Sequence, residues 1–156
     1  MSAAHPWRQT IAKLWMMTQV CGLLLALRLA LPCIKLPRLF TWLTPSGPRR
    51  GGTPQALAYT VRCTDTLLRF VFPWRGKCLP RTLTLYYFAT RNGWPVQAHC
   101  GIQRQGDKLQ GHAWLSLHGR PFFESGDPVQ HYAIILSFPG AAPGEDAPGL
   151  PKPASS

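Results

Sequence analysis

Apolar residues near the start of the chain recur at helical spacing. The residues that carry this spacing are Trp7, Ile11, Leu14 and Trp15. An apolar run follows over residues 20–27 and ends at Arg28, well short of the ~20 consecutive apolar residues that a membrane-spanning helix needs. We therefore predict an amphipathic helical segment over residues 1–43, which lies against a partner protein or on a membrane surface rather than crossing a bilayer.

Two more helices are predicted after a linker. Residues 44–55 are dense in Pro, Gly and Arg, which favours a linker or mobile loop. Beyond it, apolar residues at helical spacing predict a helix over 56–72 that Pro73 ends. A further periodic segment predicts a helix over 78–90, and the Asn-Gly pair after it supplies its stop.

The hydrophobic period changes to two after Gly93, which indicates strands. The predicted strands are 96–103, the hairpin pair 110–117 and 120–124, and 129–138. Residues 139–156 have too few apolar side chains to bury and are predicted to be disordered. The whole pattern predicts an α+β fold in which helices pack on an antiparallel sheet, with the main domain over 56–138.

The composition adds a strong positive charge to this picture. The chain has 156 residues, enough for one domain with a hydrophobic core, and its 17 Lys and Arg against 6 Asp and Glu give a net charge of +11. Such an excess attracts anionic lipid, nucleic acid or an acidic protein. The sequence has no zinc-finger, basic-zipper or RNA-recognition signature and its basic residues are scattered, so we expect no nucleic-acid partner.

The cysteines indicate a reducing compartment. The five positions are 21, 33, 63, 78 and 100, and they include no Cys-x-x-Cys pair. This spacing argues against structural zinc and a disulfide framework, and it favours reduced thiols in a cytoplasmic protein that is able to associate with a membrane through its N-terminal segment. No small-x-small cleavage site follows the early apolar run, so we do not predict secretion.

Cys78 is the cysteine whose context favours reactivity. It opens the helix predicted over 78–90 and follows Lys77. Unpaired N–H groups at a helix start, the helix dipole and a nearby cation all favour a thiolate, and the same N–H groups can hold a developing oxyanion. The alternative is an unreactive, buried small side chain.

His112 lies early in a predicted strand, where a histidine is more often packing or surface than catalytic. A three-residue hairpin loop over 117–119, with its glycine left-handed, would place Glu124 directly across from His112. The carboxylate would then orient the imidazole as the third member of a nucleophile, base and carboxylate triad. A two-residue turn at His118 and Gly119 would instead put the two side chains on opposite faces, so the inference depends on the turn type.

The remaining polar residues have weaker claims to catalysis. Asp127 lies in a Ser-Gly-Asp-Pro sequence and is predicted to form a turn. Asp65, inside a predicted helix, and Asp107, in a turn, are predicted to be solvated. His99 is adjacent to Cys100 on a strand, so the two side chains point to opposite faces and do not form a pair.

Three segments of the chain carry a specific combination of residues. They read Gly-Lys-Cys-Leu-x-Arg-Thr-Leu, Arg-Asn-Gly-Trp-Pro-Val-x-Ala-x-x-Gly-Ile and Gly-His-Ala-Trp-Leu-x-Leu-x-Gly-Arg-Pro, in that order. This combination resembles the transglutaminase-like leader peptidases of lasso-peptide biosynthesis, in the form of the stand-alone peptidase half of a split B protein. The resemblance covers residues 56–138 and implies a transglutaminase-like, papain-like core.

The resemblance also implies roles for particular residues. Cys78 falls on the nucleophile of the family, His112 on its general base and Glu124 on its third member, where the family usually has Asp. Because Glu is one methylene longer, Asp127 is an alternative third member. No metal or organic cofactor is implied. The first 44 residues are too short and too apolar to resemble the precursor-binding domain of fused members, so a separate leader-recognition protein is implied.

These observations predict a cysteine peptidase that cuts the leader from a ribosomally made precursor peptide and exposes the amine that a partner lasso cyclase uses for ring closure. Two alternatives stay open. The same triad could pass the acyl group to an amine, as transglutaminases and arylamine acetyltransferases do. The chain could also be an inactive basic scaffold that binds a membrane or partner proteins through residues 7–43.

Overall fold

The fold consists of four helices and one sheet. The computed structural model describes residues 6–47, 51–72 and 76–139. Its helices are α1 (Pro6–Ala30), α2 (Leu36–Leu43), α3 (Pro54–Phe70) and α4 (Cys78–Arg91). Its strands are β1 (Val96–Gln105), β2 (Lys108–Leu117), β3 (Arg120–Phe122) and β4 (Ala133–Phe138). The strands form one antiparallel sheet in the order β3-β2-β1-β4, so the predicted α+β class is confirmed.

All four helices share a core with the sheet. Representative members are Leu27 of α1, Phe40 of α2, Leu57 of α3, Leu83 of α4 and Leu115 of β2, and each of these side chains is buried. A second buried cluster joins α1 to α3 and α4 through residues that include Val20, Leu68 and Phe88. The N-terminal helices therefore pack into the same hydrophobic interior as the sheet.

The segment before α3 is tied to the end of α4. Thr53 caps α3, because its hydroxyl accepts a hydrogen bond from the Ala56 N–H at 3.3 Å. The Gly52 N–H donates to the Asn92 carbonyl oxygen at 2.9 Å. A Cβ at position 52 would lie 2.4 Å from the Asn92 Cβ, so this contact requires glycine. Residues 48–50 of the predicted linker and 140–156 of the predicted tail lie outside the described residues.

Helix α1 is apolar on two opposite faces. Its stretch Thr10–Ala30 has 21 residues with a mean hydropathy of 1.5. By length and composition alone, this stretch could cross a membrane. Three of its side chains, Val20, Leu24 and Leu27, are buried against the rest of the protein. The opposite face carries large apolar side chains that are exposed.

The hairpin turn between β2 and β3 differs from the prediction. Leu117 pairs with Arg120, which leaves a two-residue turn at His118 and Gly119. These two residues have φ values of 51° and 75°, the positive angles of the type I′ turn that suits two-residue hairpins. The predicted three-residue loop is wrong because His118 itself adopts a left-handed conformation, whereas the prediction reserved that conformation for the glycine.

The last strand is shorter than predicted because a helical turn replaces its first part. The Asp127 side chain accepts a hydrogen bond from the Val129 N–H at 3.1 Å, and Pro128 occupies the first position of a short 3-10 helix, Pro128–Gln130. Proline at a helix start needs no N–H partner. Strand β4 therefore begins only at Ala133.

Phe40→Ala is expected to lower the free energy of unfolding by about 3–5 kcal/mol. Phe40 is fully buried, and its ring lies 5.3 Å from that of Tyr86 and 5.2 Å from that of Phe138. Trp42, on the same helix, is 68% exposed, so Trp42→Ala is a matched control with an expected change within about 0.5 kcal/mol. Urea unfolding measures both variants, and equal effects would contradict the packing of α2 on the core.

Candidate active site

Cys78 lies at the start of α4, and its side chain is partly buried. Lys77 precedes the helix without a side-chain cap, and the first turn contains no acidic residue. The N–H groups of Cys78 and Leu79 therefore have no acceptor within the helix. This environment can stabilise an oxyanion bound beside Cys78.

His112 lies within β2, across from Gly101 of β1. Its ring stacks on that of Trp114 at 5.9 Å, and the Tyr132 ring is 5.1 Å away. A Cβ at position 101 would approach both Trp114 and Tyr132 to 2.9 Å, so a side chain there would displace these aromatic residues. The aromatic packing restricts the orientation of the His112 ring.

Glu124 contacts His112 although the hairpin turn is not the one assumed in the prediction. Its Oε2 is 3.5 Å from His112 Nε2. Strand β3 ends at Phe122, and the next residue, Phe123, has a φ of 55°. After a two-residue turn, a regular strand would place Glu124 and His112 on opposite faces of the sheet. The left-handed Phe123 breaks the alternation of side chains, so Glu124 reaches His112.

Arg81 connects Glu124 to α4, the helix that also carries Cys78. Cys78 lies three residues before Arg81 in this helix. Nη1 of Arg81 donates to Glu124 Oε1 at 3.0 Å, and its Nη2 donates to the Phe123 carbonyl oxygen at 3.0 Å. Its Nε donates to Oδ1 of Asp65, on α3, at 2.6 Å. Asp65 is half-exposed, as expected, but it is also an ion-pair partner, which was not predicted.

Cys78 also lies near a second thiol, Cys100 of β1. Burial raises the pKa of Cys100 to about 11, and the neighbouring Cys78 adds to this rise. The Cys100 thiol is therefore protonated at neutral pH, whereas nucleophilic attack requires a thiolate.

Cys100 and His112 occupy neighbouring positions on opposite faces of the sheet. Cys100 pairs with Ala113 and His112 pairs with Gly101, and directly paired residues share a face. Across residues 6–47, 51–72 and 76–139, no hydrogen bond joins Cys78 directly to His112. The contacts of Arg81 and Glu124 connect the start of α4 to the imidazole.

His99 and Asp127 have roles in the structure that differ from catalysis. The two ring nitrogens of His99 are hydrogen-bonded to the hydroxyls of Ser137 and Ser116 at 2.9 and 2.8 Å, and burial lowers the pKa of His99. The Asp127 carboxylate accepts hydrogen bonds from the Val129 N–H and the Gln130 side chain, so it is engaged in its own turn. Within the described part of the chain, no group of three His, Cys, Asp or Glu side chains is placed to hold a metal ion.

The stability of the wild-type protein is expected to fall between pH 9 and pH 11 through Cys100. The thiol pKa is about 9.0 when unperturbed and about 11 in the fold, so the unfolded chain loses this proton first. The stabilisation is complete below pH 9 and is lost as the pH rises to 11, with a loss of about 1 kcal/mol at pH 10. Urea unfolding at pH 8 and pH 10 should show a smaller loss for Cys100→Ala, and an equal loss would contradict this assignment.

The comparisons with known proteins bear on this site. A family model described as the Transglutaminase-like superfamily matches residues 21–137. The chain belongs to the transglutaminase-like superfamily. The match extends from α1 into β4 and includes Cys78, His112 and Glu124 of this transglutaminase-like domain. No curated protein and no solved structure matches the chain. Members of the superfamily are often cysteine peptidases or acyltransferases.

Sequence reasoning did not assign a role to Arg81 or Tyr132. Arg81 has a recognisable signal, because residues three apart lie on the same side of a helix and Arg81 is three positions after Cys78. Tyr132 has no comparable signal, since the loop between the 3-10 helix and β4 brings it against His112.

Proposed function

We propose that this transglutaminase-like protein is a cysteine peptidase that removes the leader from a ribosomally synthesised lasso-peptide precursor. The observation that carries the reaction class is the chain of contacts from α4 to the imidazole. Arg81, one turn beyond Cys78, contacts Glu124 at 3.0 Å, and Glu124 lies 3.5 Å from His112. The three sequence segments that resemble leader peptidases support the substrate class.

In the first step, the Cys78 sulfur attacks the carbonyl carbon of the scissile peptide bond. Glu124 contacts Nε2 of His112, so Nδ1 is the proposed acceptor of the thiol proton. The N–H groups of Cys78 and Leu79 are positioned by the helix to stabilise negative charge on the carbonyl oxygen. The carbon–nitrogen bond then breaks, His112 gives its proton to the leaving amine, and the leader remains bound to Cys78 as a thioester.

In the second step, water attacks the thioester and His112 accepts a proton from it. The carbon–sulfur bond breaks, the leader leaves as a carboxylate, and the Cys78 thiol is restored. Glu124 stabilises the imidazolium that forms in each step, because its negative charge lies next to the ring. These steps use only side chains and backbone N–H groups of this chain together with water.

The proposal includes two partner proteins. A separate leader-recognition protein would present the precursor, and a lasso cyclase would use the amine that cleavage exposes. The excess of basic residues in the chain is suited to attract an acidic leader or an acidic partner.

Mass spectrometry of a cognate precursor tests this function. The precursor is incubated with the wild-type protein and its recognition partner, and the products are compared with those of Cys78→Ala. We expect the wild-type protein to release a leader with a free carboxyl terminus and Cys78→Ala to release none. An intact precursor after incubation with every partner would overturn the proposal and favour a non-catalytic scaffold.

An added primary amine separates hydrolysis from acyl transfer. Peptidase activity gives a leader acid even when the amine is abundant. If a stable leader amide is the main product, the protein is an acyltransferase that uses the same thioester, and the peptidase assignment is wrong.

A further inference from the structure

We propose that Arg81 is a positioning residue that holds Glu124 against His112. This proposal rests on the proposed function and adds a residue to its triad. All three guanidinium nitrogens of Arg81 are engaged, by Asp65, Glu124 and the Phe123 carbonyl oxygen. The planar fork of an arginine fixes the direction of such contacts more tightly than a lysine ammonium does. The side chains of Arg81 and Glu124 are only 21% and 13% exposed, which limits screening by water.

The charges of this cluster fit a role in catalysis. Arg81 alone would cancel the negative charge of Glu124 and weaken its support of a protonated His112. Asp65 offsets the positive charge of Arg81 from the other side, so the three side chains together carry a net charge of −1. A protonated His112 beside Glu124 then makes the group neutral. Because of Asp65, Arg81 can fix the position of Glu124 without cancelling the negative charge that Glu124 offers to the imidazolium.

A merely structural role is the alternative, because Arg81 also joins α3, α4 and the segment after β3. A double-mutant cycle distinguishes the two. If Arg81 acts through Glu124, then Arg81→Gln has no further effect on the reaction once Glu124→Gln is present. If Arg81 only stabilises the fold, its effect is the same in both backgrounds.

The experiment uses two readouts on the full-length protein. One is kcat and KM for cleavage of the precursor, and the other is the rate at which iodoacetamide alkylates Cys78 at neutral pH, followed by peptide mass spectrometry. We expect Arg81→Gln to lower kcat by about 10- to 100-fold with KM little changed, and Arg81→Lys to recover part of the loss. Asp65→Asn should lower kcat by about two- to threefold, because Asp65 is half-exposed.

Arg91→Gln is the matched control. Arg91 lies at the other end of α4, over the ring of Tyr87, and this variant should retain wild-type rates. Equal losses from Arg81→Gln in the wild-type and Glu124→Gln backgrounds would overturn the proposal, as would a loss fully explained by unfolding. If no peptide is cleaved but Cys78 alkylation shows the non-additive pattern, the positioning role stands and the peptidase function fails.

A second inference concerns the outer face of α1 and is independent of the reaction. We infer that this face docks on an anionic lipid bilayer. Its large apolar side chains are exposed, and at 3.6 residues per turn their positions near the two ends of α1 fall on one side of the helix. They are Trp7, Ile11, Leu14, Trp15, Leu25 and Leu29. On the opposite side Val20, Leu24 and Leu27 are buried in the domain, so the second half of α1 is held along the protein surface.

Charge identifies an anionic surface as the occupant. The first 64 residues contain eight Lys or Arg and no Asp or Glu. Two of these basic residues, Lys13 and Arg62, line the groove between α1 and α3. A second copy of the same cationic surface would be repelled, whereas anionic lipid attracts it by about 1 kcal/mol per basic residue near the bilayer. Tryptophans, such as Trp7 and Trp15, favour the interface between headgroups and hydrocarbon.

Vesicle co-sedimentation of the full-length protein tests this docking surface. We expect binding to phosphatidylcholine vesicles that contain about 30% phosphatidylglycerol to be at least about tenfold tighter than binding to pure phosphatidylcholine, and to weaken with salt. The double variant Ile11→Ser and Leu14→Ser should lose about tenfold in binding. Trp42→Ser is the control, since Trp42 is also a large exposed apolar residue but lies on α2.

Circular dichroism checks that the variants keep their fold, as expected for exposed positions. Absence of binding, or equal binding to neutral and anionic vesicles, would overturn the inference. Dimerisation of the free protein that is lost in the Ile11 and Leu14 double variant would also overturn it, because the face would then be covered by a second copy.

Discussion

Cys78→Ala is expected to reduce kcat/KM for precursor cleavage by a factor of about 10³ or more. The reaction requires a sulfur that forms a thioester, and an alanine methyl group cannot replace it. Cys78 is the cysteine at the start of a helix, where unpaired N–H groups can stabilise an oxyanion. The remaining precursor and the released leader are measured by mass spectrometry over time, with wild-type and variant proteins at equal concentration.

Cys100→Ala is the matched control for this loss. Cys100 lies close to Cys78, but burial keeps its thiol protonated at neutral pH, with a pKa of about 11. We expect Cys100→Ala to retain cleavage within about threefold of wild type. Cleavage that survives Cys78→Ala and disappears with Cys100→Ala would assign the nucleophile to Cys100 and contradict the proposed mechanism.

The sequence predicted the parts of the fold that depend on local pattern. Period changes located α3, α4 and β1, and the start of α4 was placed at Cys78, where the structure has it. The hairpin turn could not be predicted in the same way, because a histidine with positive φ at position 118 is uncommon and sequence pattern favours glycine there. The contact of Glu124 with His112 depends on a second such residue, Phe123, which no sequence signal marks.

The burial of α1 also could not be predicted from its pattern. Both sides of this helix are apolar, so periodicity alone does not tell which side packs on the domain. The choice is made by contacts with residues distant in sequence, such as Leu68 and Phe88, which pack around Val20 and Leu24. The ion pair of Arg81 with Asp65 is likewise a contact between two helices, and the sequence does not specify their relative placement.

His112→Ala is expected to reduce kcat/KM about as strongly as Cys78→Ala, and the double variant should be no worse than either single variant. The two groups act in the same proton transfer, so losing one removes the contribution of the other. Glu124→Gln, which keeps the shape but removes the charge beside His112 Nε2, should cost about 10- to 100-fold. Glu124→Asp should cost less than Glu124→Gln, because it keeps the charge and shortens the reach by one methylene.

The rate of Cys78 alkylation by iodoacetamide separates a direct role of His112 from a loss of substrate binding. If His112 receives the thiol proton, His112→Ala should slow alkylation at neutral pH by about tenfold or more. His131→Ala is the control, since His131 is exposed at the end of the 3-10 helix. In this variant, Cys78 should be alkylated at the wild-type rate. Equal alkylation and equal cleavage by wild type and His112→Ala would remove His112 from the mechanism, and the contact between Glu124 and His112 would then have only a structural role.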